Sequence, residues 1–161
     1  MKKLFFILFL AFYVINLFGQ NNLQTTNATE KSFPTNLNQE NFSMIEQLSG
    51  KVVAFNGTIE KVENSKNNTP FYKIRVDENN YLWTVLMFKN ETNKPGDTIR
   101  VVGYLIQSPT DADKSEKQYL DGKYMVISFG LVDFKNSNFL FLGSAKKQKQ
   151  EWIDGKIPSS K

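Results

Sequence analysis

Runs of alternating apolar and polar residues, separated by turn residues, constrain this chain more than any other feature. In the first run, Val53, Phe55, Gly57 and Ile59 share one face and the residues between them share the other. A period of two is that of a half-buried β-strand. Similar runs follow, and together they predict five strands, enough to close a small barrel: residues 51–62, 71–77, 81–88, 98–106 and 123–134.

Glycine and proline mark where these strands turn. Gly57 lies in the middle of the first strand, where a long strand can bend or bulge to change partners. Residues 63–70 form a polar hairpin loop, and Pro95-Gly96 is a strong turn signal before the fourth strand. The third strand, residues 81–88, is apolar on both faces, so we expect it to be covered on both sides. Its pattern leaves open which face points inward. The fifth strand is predicted to alternate throughout, with one face formed by Met125, Ile127, Phe129 and Leu131.

The first nineteen residues resemble a secretory signal peptide. Two lysines precede an apolar run at residues 4–18, which is short for the about 20 residues of a membrane span, and Gly19 follows. We expect cleavage after Gly19. The alternative is an uncleaved anchor, the only expected membrane contact, because Leu17 is larger than the residue preferred there.

The composition also indicates where the protein is located. The chain has no cysteine, so it can carry neither a lipid anchor at the cleavage site nor a disulfide. Its use of lysine and asparagine is typical of a bacterial protein. We therefore expect a periplasmic or secreted location.

The remaining chain divides into three predicted parts. Residues 20–39 are polar and predict a flexible linker, and residues 40–142 predict the barrel domain. Where the linker meets the domain, the spacing of Phe42, Ile45 and Leu48 predicts a short amphipathic helix over residues 38–48, ended by Gly50. Residues 139–142 predict an extra strand or a plug packed on the domain. Residues 143–161 are a basic C-terminal tail that we expect to be loosely attached.

The net charge of +4 is concentrated at the chain ends. Without the predicted signal peptide, 18 basic residues face 16 acidic ones, and residues 135–161 alone hold six basic and two acidic residues. Residues 20–134 therefore hold twelve basic and fourteen acidic residues, a slightly acidic core. Because nucleic-acid-binding proteins usually present a basic surface, this balance disfavours nucleic acid as a partner.

Two phrases of the sequence resemble the first and fourth strands of exported bacterial OB-fold proteins of the anticodon-binding-like kind. The first is the set Val53, Phe55, Gly57 and Ile59, and the second is residues 96–103, Gly-Asp-Thr-Ile-Arg-Val-Val-Gly. The resemblance covers about half of the chain and implies a five-stranded Greek-key barrel. Periplasmic haem chaperones of similar fold hold haem with histidine, and this chain has none.

The sequence offers few of the residues that enzymes use for catalysis. The chain contains no histidine, which is the commonest general base in enzymes, and no cysteine. It therefore also lacks the usual soft metal ligands. The acidic cluster of Asp111, Asp113, Glu116 and Asp121 lacks the glycine and final glutamate of a calcium loop. Phosphate-binding glycine loops and nucleophile elbows are absent from the sequence. We predict a non-enzyme with no catalytic residues, metal or cofactor.

A candidate binding face lies on the second and third predicted strands. OB-folds bind ligands across these strands, and single strands of nucleic acid are held by aromatic stacking and cations. The candidate residues are Phe71, Lys73, Arg75 and Trp83, with Tyr81 beside them. In the alternative interpretation, Trp83 is a core residue and the two cations only solvate the barrel.

Three functions remain open. The first is an exported binding module for an unidentified ligand or envelope protein. The second is a single-stranded nucleic-acid-binding protein that uses Phe71, Lys73, Arg75 and Trp83. The third is a structural role in the envelope, with residues 139–152 as a docking tail. The slightly acidic core places the first before the second.

Overall fold

A computed structural model describes residues 23–27, 42–65, 68–108, 122–154, 156 and 158, with residues 23–27 described by their backbone alone. These residues contain seven strands, a 3-10 helix at Ile45–Leu48 and one α-helix, α1, at Lys146–Ile153. The strands are β1 Leu23–Asn27, β2 Val52–Asn64, β3 Pro70–Arg75, β4 Tyr81–Leu86, β5 Thr98–Gln107, β6 Tyr124–Asp133 and β7 Asn138–Leu142.

Five of the strands close into a barrel. Their order is β6-β4-β3-β2-β5, and β5 closes the ring by pairing with β6. The β4–β6 pair is parallel and the other barrel pairs are antiparallel. Outside the ring, β7 pairs with the second half of β6, and β1 pairs with β7. The predicted all-β barrel is confirmed, and β7 is the extra strand that was one of two alternatives for residues 139–142.

The long strand β2 pairs with two neighbouring strands. Its first half, up to Thr58, pairs with β5, and from Thr58 onward it pairs with β3. The partner changes next to Gly57, where an added Cβ would lie 3.0 Å from the Arg75 carbonyl oxygen. The bulge itself lies farther on, because Ile59 and Lys61 pair with consecutive residues of β3 and leave Glu60 unpaired.

Alternating side chains fill the barrel interior. The interior cluster includes Val53, Phe55, Ile59, Tyr72, Ile74, Leu82, Leu86, Ile99, Val101, Leu105, Val126 and Leu131. As predicted, β4 is covered on both faces, because Trp83 and Val85 belong to a second buried cluster outside the barrel. Apolar surface removed from water stabilises a protein by about 25 cal/mol per Å², so both faces of β4 contribute to the stability of the barrel.

The predicted alternation of β6 is wrong beyond Ser128. Gly103 pairs with Ser128 but Val102 pairs with Gly130, so Phe129 is an extra residue in β6. An extra residue reverses the faces of all residues that follow it. Leu131, expected on the face of Met125, therefore lies in the barrel interior.

The connection from β4 to β5 lies against the barrel and ends in the predicted turn. The Tyr72 hydroxyl donates a hydrogen bond to the Asn90 carbonyl at 3.2 Å, and burial raises the pKa of Tyr72. Gly96 has φ +92°, which suits the turn, and the Asp97 amide donates to the Lys94 carbonyl at 3.0 Å. The Lys94 amide and the Lys135 ammonium in turn donate to the Asp97 carboxylate and lower its pKa.

The predicted N-terminal helix is not shown as one element. Its last residues form the 3-10 helix at Ile45–Leu48, and residues 38–41 lie outside the described ranges. The predicted apolar face nevertheless contacts the barrel, because Phe42, Ile45 and Leu48 pack against the interior cluster. Gly50, with φ +82°, follows the 3-10 helix in a conformation that favours glycine.

The described elements nearest the two chain ends, β1 and α1, lie outside the ring of barrel strands. The predicted signal peptide at residues 1–19 lies outside the described residues, and β1 occupies part of the predicted linker at residues 20–39. The expectation of a loosely attached C-terminal segment is wrong for α1. The Trp152 side chain is fully buried against an outer cluster that includes Phe129, Phe139 and Phe141. Within the described residues, no helix is long and apolar enough to span a bilayer.

We expect Gly103→Ala to destabilise the barrel strongly. A Cβ there would lie 2.1 Å from the Ile127 carbonyl oxygen, a backbone atom that cannot rotate away. Overpacking typically costs about 1–3 kcal/mol, and we expect the upper part of that range or more. Urea unfolding measures it. Gly122→Ala is the control, because its nearest atom lies 3.6 Å away; equal effects of the two substitutions would contradict the tight β5–β6 contact.

Candidate ligand-binding face on β3 and β4

Antiparallel pairing of β3 with β4 brings the candidate residues onto one outward face. Lys73 lies opposite Trp83, and Arg75 lies opposite Tyr81. Phe71 completes the row on β3. The residues between them, such as Tyr72, Ile74 and Leu82, point into the barrel. The structure thus answers the question left open by the apolar strand, since Trp83 lies on the outward face together with Lys73.

Two of the four candidates are buried on this outward face. Trp83 is 3% exposed and Phe71 is 7% exposed. They form a cluster with Val85 and Met125, with Ile106 and Ile127 packed against it. Stacking on a ligand needs an accessible ring face, so Trp83 and Phe71 contribute to stability here rather than to a stacking surface.

Lys73 is restrained by two aromatic rings. Its ammonium nitrogen lies 5.5 Å from the centroid of the Tyr81 ring and 5.8 Å from that of Trp83. Both distances fall within the range of cation–π attraction, worth about 0.5–1 kcal/mol at exposed sites. Lys61 lies directly opposite Lys73 on β2 and instead forms an ion pair with Glu63 at 2.6 Å. The two like charges therefore point toward different partners.

Arg75 is engaged by an acidic neighbour. Its Nε donates to Glu60 Oε1 at 2.6 Å, and this hydrogen bond together with the charge of Glu60 raises the pKa of Arg75. Glu60 reaches Arg75 from the bulge of β2, which directs its side chain toward β3. Both side chains are solvent-accessible, so the pair adds little stability, but it offsets the charge of Arg75.

Sequence reasoning missed three participants of this face. The sequence predicts regular alternation through residues 51–62, which include Glu60 and Lys61, and the bulge that brings Glu60 to Arg75 depends on pairing with β3. Met125 joins the Trp83 cluster because β6 pairs in parallel with β4. Because β6 is distant from β4 in sequence, no local sequence pattern indicates that the two strands pair. The charge pattern Glu-Lys-Val-Glu at residues 60–63 was the one visible hint of acidic groups near Lys73 and Arg75.

Tyr81 is the accessible ring of this face. Its side chain is 44% exposed, beside the restrained Lys73 ammonium and the Arg75–Glu60 pair. An aromatic ring next to an amine suits non-covalent contact with a partner's polar and apolar groups. Among the described residues, no three His, Cys, Asp or Glu side chains are grouped so that they could hold a metal ion. The acidic residues 111–121 lie outside the described ranges.

Comparison with known proteins finds no family model that matches the chain and no curated protein that is significantly similar to it.

We expect Trp83 to be shielded from solvent. In a Trp152→Phe variant, Trp83 is the single remaining tryptophan, and its emission should be blue-shifted and resist acrylamide quenching because the indole is buried. The matched control places the probe at the exposed neighbour, as Tyr81→Trp combined with Trp83→Phe and Trp152→Phe, and should be quenched readily. Equal quenching of the two probes would contradict the buried Trp83 cluster.

Proposed function

We propose that this chain is an exported, non-catalytic OB-fold binding module for a ligand or an envelope protein partner. Support for the OB-fold comes from the order of the barrel strands. The first barrel strand, β2, pairs with the fourth, β5, and the fifth, β6, lies between the third and the fourth. Such out-of-order neighbours are a feature of Greek-key barrels. The lack of histidine and cysteine in the sequence supports a non-catalytic role.

One observation carries the proposed site: an exposed tyrosine and a restrained lysine lie together on the second and third barrel strands, the face that OB-folds use. Tyrosine presents a large contact area with few rotatable bonds, which is why it is enriched at interfaces. Lys73 is held by the Tyr81 and Trp83 rings, so it loses less side-chain entropy when a partner binds. The face thus suits a partner that offers an apolar surface to Tyr81 and a hydrogen-bond acceptor to Lys73.

The same face favours a protein or small polymer over single-stranded nucleic acid. Single-strand binding needs several accessible rings and cations that follow the backbone. Here Phe71 and Trp83 are buried, and Arg75 is paired with Glu60. Nucleic-acid binding therefore stays the second candidate, supported by the adjacency of Tyr81 and Lys73 alone.

We expect a photo-crosslinking amino acid at position 81 to capture a specific partner in cells that export the protein. Position 44 is the matched control, because Met44 is 46% exposed and Tyr81 is 44% exposed. A discrete adduct at position 81 that is absent at position 44, and is weakened by Lys73→Ala, would support the proposed face. Identical adducts at both positions, or none at 81, would contradict it. Mass spectrometry of the adduct then identifies the partner.

The nucleic-acid alternative has its own test. We expect a fluorescently labelled oligo-dT to show no change in anisotropy at micromolar protein, even at low salt, because one accessible ring provides only about 1–3 kcal/mol of stacking. Binding that weakens steeply with salt and is lost in Tyr81→Ala would reverse the order of the two candidates. Met44→Ala is the control for a general effect of removing an exposed apolar side chain.

Export predicts a defined N-terminus. When the full chain is expressed in a bacterial host with an intact secretion system, we expect the mature protein outside the cytoplasm to begin at Gln20, as measured by intact-mass spectrometry. Recovery of the full mass in the membrane fraction would favour the uncleaved anchor, and recovery of the full mass in the cytosol would contradict export.

A further inference from the structure

The outer edge of β7 is a rigid template for another strand. One edge of β7 pairs with β6 from Gly130 to Asp133. The strand is fixed by its side chains, since Phe139 and Phe141 are buried in the outer cluster and Leu140 packs into the barrel interior. Its sequence, Asn-Phe-Leu-Phe-Leu, contains none of the charges or prolines that usually protect an exposed edge.

The strand that occupies this edge is β1. Among the described elements, it pairs with β7 alone. Its sequence, Leu-Gln-Thr-Thr-Asn, is mainly polar, and it pairs with β7 at five register positions, from Leu23↔Leu142 to Asn27↔Asn138. Residues 28–41 separate β1 from the next described residues, a length that spans on the order of 50 Å when extended.

We propose that the β7 edge is a strand-exchange site that accepts Leu23–Asn27 of a second copy of this chain in place of its own. An exchanged strand of identical sequence makes the same backbone hydrogen bonds in the same antiparallel register. Because each copy both donates and accepts a strand, the exchange closes into a symmetric dimer. This surface lies on β7 and β1, apart from the β3–β4 face, so the inference does not depend on the proposed function.

Protein concentration controls the exchange. Since the exchanged and the closed forms contain the same strand pairing, they differ mainly in chain entropy. β1 is tethered through the chain to its own barrel, and tethering gives an effective concentration on the order of millimolar, so exchange should increase as protein concentration approaches that range. Where the protein is concentrated, neighbouring copies become linked through this edge.

The absence of cysteine makes a disulfide experiment unambiguous. Full-length N27C and full-length N138C, which carry tags of different mass, are mixed in a glutathione redox buffer. Asn27 and Asn138 are register partners, and Asn138 is only partly buried. The mixture is incubated from about ten micromolar to about one millimolar, a range that approaches the tethered effective concentration. The control mixture replaces N138C with E91C, an exposed loop position.

We expect the N27C–N138C heterodimer to increase with concentration and to exceed the N27C–E91C product by about tenfold at the highest concentration. The double variant N27C/N138C should form an intramolecular disulfide at low concentration, which reports that β1 pairs with β7 in the described register. Heterodimer at the level of the E91C control throughout would overturn the exchange. Failure of the double variant to close would overturn the β1–β7 pairing on which it rests.

Discussion

Closure of the barrel depends on the close contact between β5 and β6 at Gly103. The backbones approach so tightly there that no side chain fits on Gly103. At the same place β6 takes in an extra residue, Phe129, which lies outside the barrel against Tyr104 and Phe141 at ring distances of 5.3 and 5.4 Å. The bulge thus returns Leu131 to the interior, and Phe129 joins the outer aromatic cluster that holds Trp152. β6 therefore contributes side chains to buried clusters on both of its sides.

Much of this architecture was predictable because its causes are local. Two-residue alternation, the apolar run at residues 81–88 and the Pro95-Gly96 turn identified all five barrel strands, with ends shifted by at most a few residues. The bulges at Glu60 and Phe129 were not predictable, since register depends on the partner strand and no local pattern records it. The anchoring of α1 was missed for a similar reason. Its lysines and glutamines predict a solvated segment, and one tryptophan outweighs them by burying a large apolar surface.

The candidate site was also predictable only in part. Sequence alternation correctly grouped Phe71, Lys73 and Arg75 on one face of β3. It could not decide the orientation of Trp83, because a strand that is apolar on both faces has no polar side to mark its exterior. It also missed the pairing of Arg75 with Glu60 and of Lys61 with Glu63, which lowers the positive charge of the face. The face that results is more apolar and more nearly neutral than its sequence indicated.

The buried position of Trp152 has a consequence for the order in which the domain can form. A chain is synthesised from its N-terminus, so the outer surfaces of β5, β6 and β7 exist before α1 has been made. Until Trp152 arrives, the rings of Phe129, Phe139 and Phe141 lack one of their covering side chains. A chain that stops short of α1 therefore holds a complete barrel sequence and an open aromatic patch, the kind of surface through which incomplete chains aggregate. Only when α1 has been made and Trp152 packs on these rings is the patch covered, and the domain is then protected from aggregation through it.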